Sequence, residues 1–166
     1  MEVVEGDLWD FYDQGFYVVV PTNLTTQRTG EAVMGRGVAQ QAAQRFPKLA
    51  SWYGAKLRAR TSFVIFHEQR LVMFPVKGHW RDRADENLIR DSCIALRVEA
   101  ARLQSDGFRA ALPLVGCGFG ELLEELVLPL LHAHLSAPYF TLVRRDADVK
   151  RRYPDSFVPG ARKDAS

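Results

Sequence analysis

Short apolar runs alternate along this chain with stretches of helical periodicity. Continuous apolar runs over residues 16–20 and 110–115 predict strands that are buried on both faces, because a strand with one face in water would alternate. Further strands are predicted over 2–5, 62–66, 70–74 and 139–143, and a tight turn at 67–69 joins the second and third of these. Pro21 and Pro75 each follow an apolar run, and each is expected to end its strand.

Helices are predicted between these strands. Their expected ranges are 35–46, 47–57, 84–105 and 121–135, with a short helical turn at 147–153. In the longest one, Ile89, Cys93, Leu96 and Ala100 form an apolar stripe at helical spacing. Strands that alternate with helices indicate an α/β protein, a three-layer α/β/α sandwich around a mixed, mostly parallel central sheet. We expect one domain over residues 1–153 and a frayed C-terminal tail over 154–166.

Composition narrows the class of protein. The chain has 166 residues, 47% of them hydrophobic, which suffices for one core, and its net charge of +2 does not by itself indicate nucleic acid. Its two cysteines lack paired spacing, so we expect no disulfide, no metal and no cofactor. No apolar run reaches membrane length, and no signal-peptide pattern precedes the first strand. We therefore expect a cytoplasmic protein without membrane contact. We also expect a monomer, although the sequence itself carries no signal of oligomeric state.

Two glycine-rich segments follow predicted strands and precede predicted helices. They are GEAVMGRGVAQQ at 30–41 and VGCGFGEL at 115–122. Backbone N–H groups at such a turn, together with the positive end of a helix dipole, bind phosphate. Two such segments in one small domain predict a ligand with two phosphates. Neither segment matches the P-loop pattern or the dinucleotide-binding pattern of glycines.

A third feature is the lysine in FPVKGHWR, residues 74–81. Lys77 either reaches solvent along its own methylenes or is a partly buried amine. Burial against Phe74, Pro75 and Trp80 would lower its pKa and leave more of the amine neutral, as an imine-forming nucleophile requires.

With these motifs the chain resembles a macrodomain, the ADP-ribose-binding α/β/α module, over residues 3–143. The resemblance rests on Gly6-Asp7-Leu8, on Asn23, and on the segments VMGRGVA at 33–39, FPVKGHWR at 74–81 and LPLVGCG at 112–118. Together they resemble the branch that holds terminal ADP-ribose glycohydrolases and DarG-type antitoxin macrodomains. Members of that branch remove ADP-ribose from carboxylates or from DNA bases.

The resemblance implies roles for individual residues. Asp7 would accept a hydrogen bond from the adenine amino group beside the backbone of Leu8, and the catalytic set would be Lys77, Asn23 and Glu121. The segments that would cradle the phosphates and the distal ribose are Met34, Gly35, Arg36, Gly37 and Val38, and Gly116, Cys117, Gly118, Phe119 and Gly120. His79, Trp80 and Arg81 are expected to contact the substrate.

One departure bears on the substrate. In the carboxylate-specific relatives an aspartate follows the Gly-Cys-Gly loop, whereas this chain has Gly120, and its nearest acid is Glu121. The DarG-type forms also carry glycine there, so the resemblance favours an ADP-ribosylated DNA base over a protein carboxylate, with an ADP-ribosyltransferase toxin as the functional counterpart. Two alternatives stay open: a non-catalytic ADP-ribose-binding module, and a phosphatase acting on ADP-ribose 1″-phosphate.

Overall fold

The structure is a computed structural model that describes residues 1–118 and 120–145. Phe119, the predicted turn at 147–153 and the predicted tail at 154–166 lie outside the described residues. The strands are β1 Glu2–Glu5, β2 Tyr17–Asn23, β3 Val64–Phe66, β4 Leu71–Lys77, β5 Ala110–Leu112 and β6 Phe140–Arg144. The helices are α1 Leu8–Asp13, α2 Gly37–Arg45, α3 Leu49–Arg58, α4 Glu86–Leu103 and α5 Glu124–His134, and a 3₁₀ turn, Gln104–Asp106, follows α4.

In the described part of the chain, six strands form one sheet in the order β1-β6-β5-β2-β4-β3. All neighbouring pairs are parallel except β3 and β4, which are antiparallel. The predicted mixed, mostly parallel sheet is therefore confirmed. Because parallel strands point the same way, the carboxyl ends of β1, β6, β5, β2 and β4 lie along one edge of the sheet.

Helices cover both faces of this sheet. Val18 and Val20 of β2 belong to one buried cluster, with Trp9 of α1, Ala42 of α2 and Tyr53 of α3. Alternate strand residues, including Val19, Val72 and Phe74, belong to a second cluster with Ile89 and Leu96 of α4 and Leu131 of α5. The three-layer sandwich is confirmed, and it explains why the strands have continuous apolar runs. Between residues 1 and 145, Phe119 aside, no helix has the length and apolar character needed to cross a bilayer.

The two prolines do not end their strands, contrary to the sequence prediction. β2 continues through Pro21 to Asn23, and β4 continues through Pro75 to Lys77. Pro21 lies past the paired part of β5, and Pro75 lies past the paired part of β3, so each proline has a neighbouring strand on one side only. A missing N–H is tolerated where a strand has an open side. Lys77 is consequently the last residue of a strand.

Local boundaries differ elsewhere as well. Helix α1 was not predicted; its first turn is capped by Asp7, whose Oδ1 accepts from the backbone N of Trp9 at 3.0 Å. At its other end Arg70 Nη1 donates to the carbonyl of Tyr12 at 2.7 Å. Six residues rich in aromatics have weak intrinsic helical preference, so the helix is stabilised by burial of Trp9, by its cap and by the bond from distant Arg70. β5 ends at Leu112, and α5 begins at Glu124, both short of the predicted ranges.

Candidate active site

A cavity of about 810 Å³ lies at the carboxyl edge of the sheet. Its size is within the usual range of small-molecule sites, roughly 300–1,000 Å³. The ends of all five parallel strands contribute to its lining: Gly6–Leu8 after β1, Pro21–Asn23 of β2, Val76 and Lys77 of β4, Pro113 and Leu114 after β5, and Val143–Arg145 at β6. This is the edge at which open α/β sheets bind ligands.

The first glycine segment brings the start of α2 to the cavity. Arg36 is the N-cap residue, and its side chain makes no capping hydrogen bond to the first turn. The first N–H groups of any helix lack partners within the helix, so those of Gly37 and Val38 are available to a ligand at the cavity wall. A Cβ built on Gly35 would meet no atom within 4 Å. The segment therefore places the start of a helix beside open space at the cavity.

The glycines of the second segment serve different purposes. Gly116 has φ of +75°, and a Cβ there would lie 2.8 Å from Ile89 Cδ1. A Cβ on Gly120 would lie 2.5 Å from the carbonyl oxygen of Gly116. A Cβ on Gly118, by contrast, would meet no atom within 4 Å. Gly116 and Gly120 thus permit close packing of the loop, while Gly118 lies open at the cavity lining.

The sequence analysis expected the second segment to lead directly into a helix, but it does not. α5 begins at Glu124, and Glu124 and Glu125 both lie in its first turn. Carboxylates in that position already complement the positive end of the helix dipole. Glu124 also forms an ion pair with Arg144 at the end of β6, and both residues line the cavity. Of the two segments, α2 offers the helix start that suits a phosphate.

Lys77 lies half-buried in the cavity lining, next to Asn23 on the neighbouring strand. Burial is the largest cause that lowers its pKa, and the Arg36 guanidinium lowers it further. Asp82 and Glu121 act in the opposite direction, and the net shift of the pKa is downward. The sequence predicted this direction from burial. Arg81 lies over the Trp80 ring, with its guanidinium carbon 4.7 Å from the ring centroid.

The side chain of Asn23 holds the loop that follows it. Its Nδ2 donates to the carbonyl of Val33 at 2.9 Å, and its Oδ1 accepts from the backbone N of Thr25 at 2.9 Å. Thr25 Oγ1 in turn accepts from the backbone N of Trp80 at 3.1 Å. Asn23 lines the cavity and holds Thr25, and Thr25 links the loop after β2 to the loop after Lys77.

Cys117 also lines the cavity. Burial raises the pKa of its thiol to about 11, and the nearby Glu124 and Glu125 carboxylates contribute in the same direction. The thiol is therefore protonated near neutral pH. A protonated thiol is a poor nucleophile, which agrees with a packing role for this residue.

The cavity brings together most of the residues predicted from the sequence. Those that line it are Asp7, Leu8, Asn23, Gly35, Arg36, Gly37, Val38, Lys77, Trp80, Arg81, Gly116, Cys117, Gly118, Gly120 and Glu121. Met34 and His79 are not among the lining residues. Met34 packs against the buried cluster that contains Val18 and Val20. His79 is exposed, and its Nδ1 accepts from the backbone N of Arg81 at 3.1 Å. Phe119 lies outside the described residues. Asp82, which sequence reasoning missed, also lines the cavity; its position in the short loop that follows Lys77 was the available signal.

Comparisons with known proteins are consistent with this geometry. No protein-family model matches the sequence, and no curated protein matches it either. Among solved structures, Thermosipho africanus DarTG in complex with ADP-ribose is similar, with a TM-score of 0.67 and 17% identity over 89% of this chain. This chain spans 42% of the length of that one.

Two isolated macrodomains are also similar. The macrodomain of Mycobacterium tuberculosis DarG has a TM-score of 0.63 and 24% identity, over 87% of this chain and 98% of its own. The macrodomain of Thermus aquaticus DarG has a TM-score of 0.60 and 22% identity, over 87% of this chain and 97% of its own. The chain therefore has the macrodomain fold, as the resemblance in sequence motifs implied.

Proposed function

We propose that this chain, a macrodomain by fold, is an ADP-ribosyl glycohydrolase that binds ADP-ribose in the cavity and releases it from a modified acceptor through Lys77. One observation carries the proposal. A half-buried lysine with a lowered pKa lines the same cavity as the uncapped start of α2 and the open Gly118. A structural neighbour, the Thermosipho africanus protein, binds ADP-ribose, which supports the choice of ligand.

The chemistry follows from that arrangement. The diphosphate would lie against the N–H groups at the start of α2, where the dipole favours negative charge. This placement would direct the distal ribose to the part of the cavity that Lys77 lines. The lowered pKa increases the fraction of neutral amine, which is the form able to attack the anomeric carbon. Asp7, which follows β1 and caps α1, would accept from the adenine amino group.

We propose a nucleic-acid base as the acceptor, in preference to a protein carboxylate. Trp80 is partly exposed at the cavity lining, and Arg81 stacks on its ring. Aromatic rings and guanidinium groups are the usual surfaces on which unpaired bases stack. A transferase that attaches ADP-ribose to DNA would then be the functional counterpart of this protein.

The test is a panel of release assays on three substrates: ADP-ribosylated single-stranded DNA, protein ADP-ribosylated on carboxylates, and ADP-ribose 1″-phosphate. Wild type should release ADP-ribose fastest from the DNA. Lys77→Ala should lose release while its affinity for ADP-ribose stays nearly unchanged, because a ligand bound by backbone groups does not depend on the amine. Lys56→Ala, at an exposed position on α3, is the matched control and should behave as wild type.

Other results would contradict the proposal. Binding of ADP-ribose without release from any substrate would indicate a binding module. Fastest phosphate release from the 1″-phosphate would indicate a phosphatase. Release by Lys77→Ala at the wild-type rate would remove the lysine from the mechanism.

A further inference from the structure

Asp82 is anchored in the turn that follows Lys77. Its backbone N donates to the carbonyl of His79 at 2.9 Å, and its Oδ2 accepts from the backbone N of His79 at 3.1 Å. These reciprocal bonds close a turn and hold the carboxylate against Gly78, the residue after Lys77. A Cβ built on Gly78 would lie 3.8 Å from Asp82 Oδ2. The carboxylate is therefore held near the backbone of Gly78 and His79, the two residues that follow Lys77.

The relation between the two side chains is electrostatic without direct contact. Both line the cavity, and the Asp82 carboxylate is one of the groups that act on the Lys77 pKa. In the described residues, however, Lys77 forms no ion pair. A direct ion pair would stabilise the ammonium form and oppose nucleophilic attack. A carboxylate that is near the amine but not paired with it can instead accept a proton from the nitrogen, directly or through water, once the nitrogen has reacted.

Glu121 is the other carboxylate that acts on Lys77, and it is less well placed. Its Oε2 lies 3.7 Å from Nε of Arg83, and its side chain is 69% exposed. Asp82 is exposed as well, and both carboxylates line the cavity, but Asp82 forms no ion pair in the part of the chain that the structure describes. A carboxylate paired with a guanidinium is a weaker proton acceptor than one without such a partner. The remaining charged group that acts on the lysine, Arg36, cannot accept a proton.

We propose that Asp82 is the proton acceptor and donor for Lys77 during the reaction, an inference that rests on the proposed function. The lone pair of Nζ forms a bond to C1″ of the distal ribose, and the bond from C1″ to the acceptor breaks, leaving its electron pair on the acceptor. Asp82 takes a proton from the positively charged nitrogen and passes it to the departing acceptor. Water then attacks C1″ as the bond to Nζ breaks, and Asp82 transfers the proton of the water to the amine.

The test is Asp82→Asn, which keeps the shape of the side chain and an oxygen able to accept from the His79 N–H. We expect turnover of ADP-ribosylated DNA to fall by about 100-fold or more, the usual range for loss of a general acid–base group. The pKa of Lys77, measured from the pH dependence of its acetic anhydride labelling by peptide mass spectrometry, should move down, since a carboxylate that raises it has been removed. Turnover would therefore fall although more of the amine is neutral.

A purely electrostatic or structural role predicts a different result. If Asp82 only tuned the amine, Asp82→Asn would match or exceed the wild-type rate at neutral pH, and the inference would be overturned while the Lys77→Ala result still upheld the proposed function. A larger loss in Glu121→Gln than in Asp82→Asn would also overturn it. Asp91→Asn, an exposed acid on α4, controls for the change in charge and should leave turnover unaltered.

Asp82→Glu is a second variant, and it keeps the test valid if Asp82→Asn disturbs the turn. It keeps a carboxylate on the same loop and should turn over at least about tenfold faster than Asp82→Asn. Equal rates in these two variants would overturn the inference. Absence of release by wild type from every substrate would overturn the inference together with the proposed function.

Discussion

Gly118→Ala separates ligand binding from folding at the second glycine segment. A Cβ at this position would meet no atom within 4 Å, and Gly118 does not have a positive φ. Replacement of such a residue changes the free energy of unfolding by no more than about 0.5 kcal/mol. The added methyl group would nevertheless enter the space that the ligand is proposed to fill. We expect affinity for ADP-ribose to fall about tenfold, which corresponds to about 1.4 kcal/mol.

Gly120→Ala is the matched variant, two residues along the same loop. Its Cβ would lie 2.5 Å from the Gly116 carbonyl oxygen and 2.8 Å from the Ala84 Cβ, both too close for a real contact. Backbone cannot move aside as cheaply as the tip of a flexible side chain. We expect a loss of about 1–3 kcal/mol in the free energy of unfolding, the usual cost of overpacking.

Two measurements on each variant check the pair. Urea unfolding reports stability, and isothermal titration calorimetry reports affinity for ADP-ribose. The reasoning predicts a stable but weakly binding Gly118→Ala and a destabilised Gly120→Ala. Wild-type affinity in Gly118→Ala would show that the loop does not close on the ligand. Wild-type stability in Gly120→Ala would show that the packing around Gly116 and Ala84 is loose enough to admit a methyl group.

Two further predictions concern charge and buried hydrogen bonds. Arg36→Gln removes a cation that lowers the Lys77 pKa, so this pKa should rise. The increase of kcat with pH should therefore shift to higher pH, and kcat should reach the wild-type value in alkaline buffer. An unshifted pH profile would contradict the role of Arg36. Tyr53→Phe removes a buried hydroxyl that donates to the Ser62 carbonyl at 2.7 Å and lies 3.0 Å from Thr22 Oγ1. Leaving those groups unpaired should cost about 1–3 kcal/mol in urea unfolding, and a loss too small to measure would show that water replaces the hydroxyl.

The fold class was predictable because it depends on pattern alone. Continuous apolar runs separated by helical periodicity require a sheet that is covered on both faces, and the clusters around Val19 and around Val18 with Val20 show that arrangement. The glycine segments were predictable for a similar reason, since glycine after a buried strand indicates a turn at the carboxyl edge of the sheet. The exact ends of strands were not predictable, because tolerance of Pro21 and Pro75 depends on how far the neighbouring strands extend.

Only part of the candidate site was predictable from the sequence. Gly116, Gly118 and Gly120 look alike in the sequence, yet two of them face packed atoms and one faces open space. Asp82 looks like any acid in a polar loop, and its position beside Lys77 arises from a turn closed by His79.

The order of apolar and polar residues by itself determined the three layers of this protein, since burial of apolar surface depends on local periodicity. It also determined the edge of the sheet at which the candidate functional residues lie. Only the tertiary structure decided which of those residues share the cavity and in which direction the pKa of Lys77 is shifted. Those properties depend on distances between segments far apart in the chain, such as Arg36, Lys77 and Glu121. Electrostatic energies vary with separation and burial, and neither quantity exists until the chain has folded.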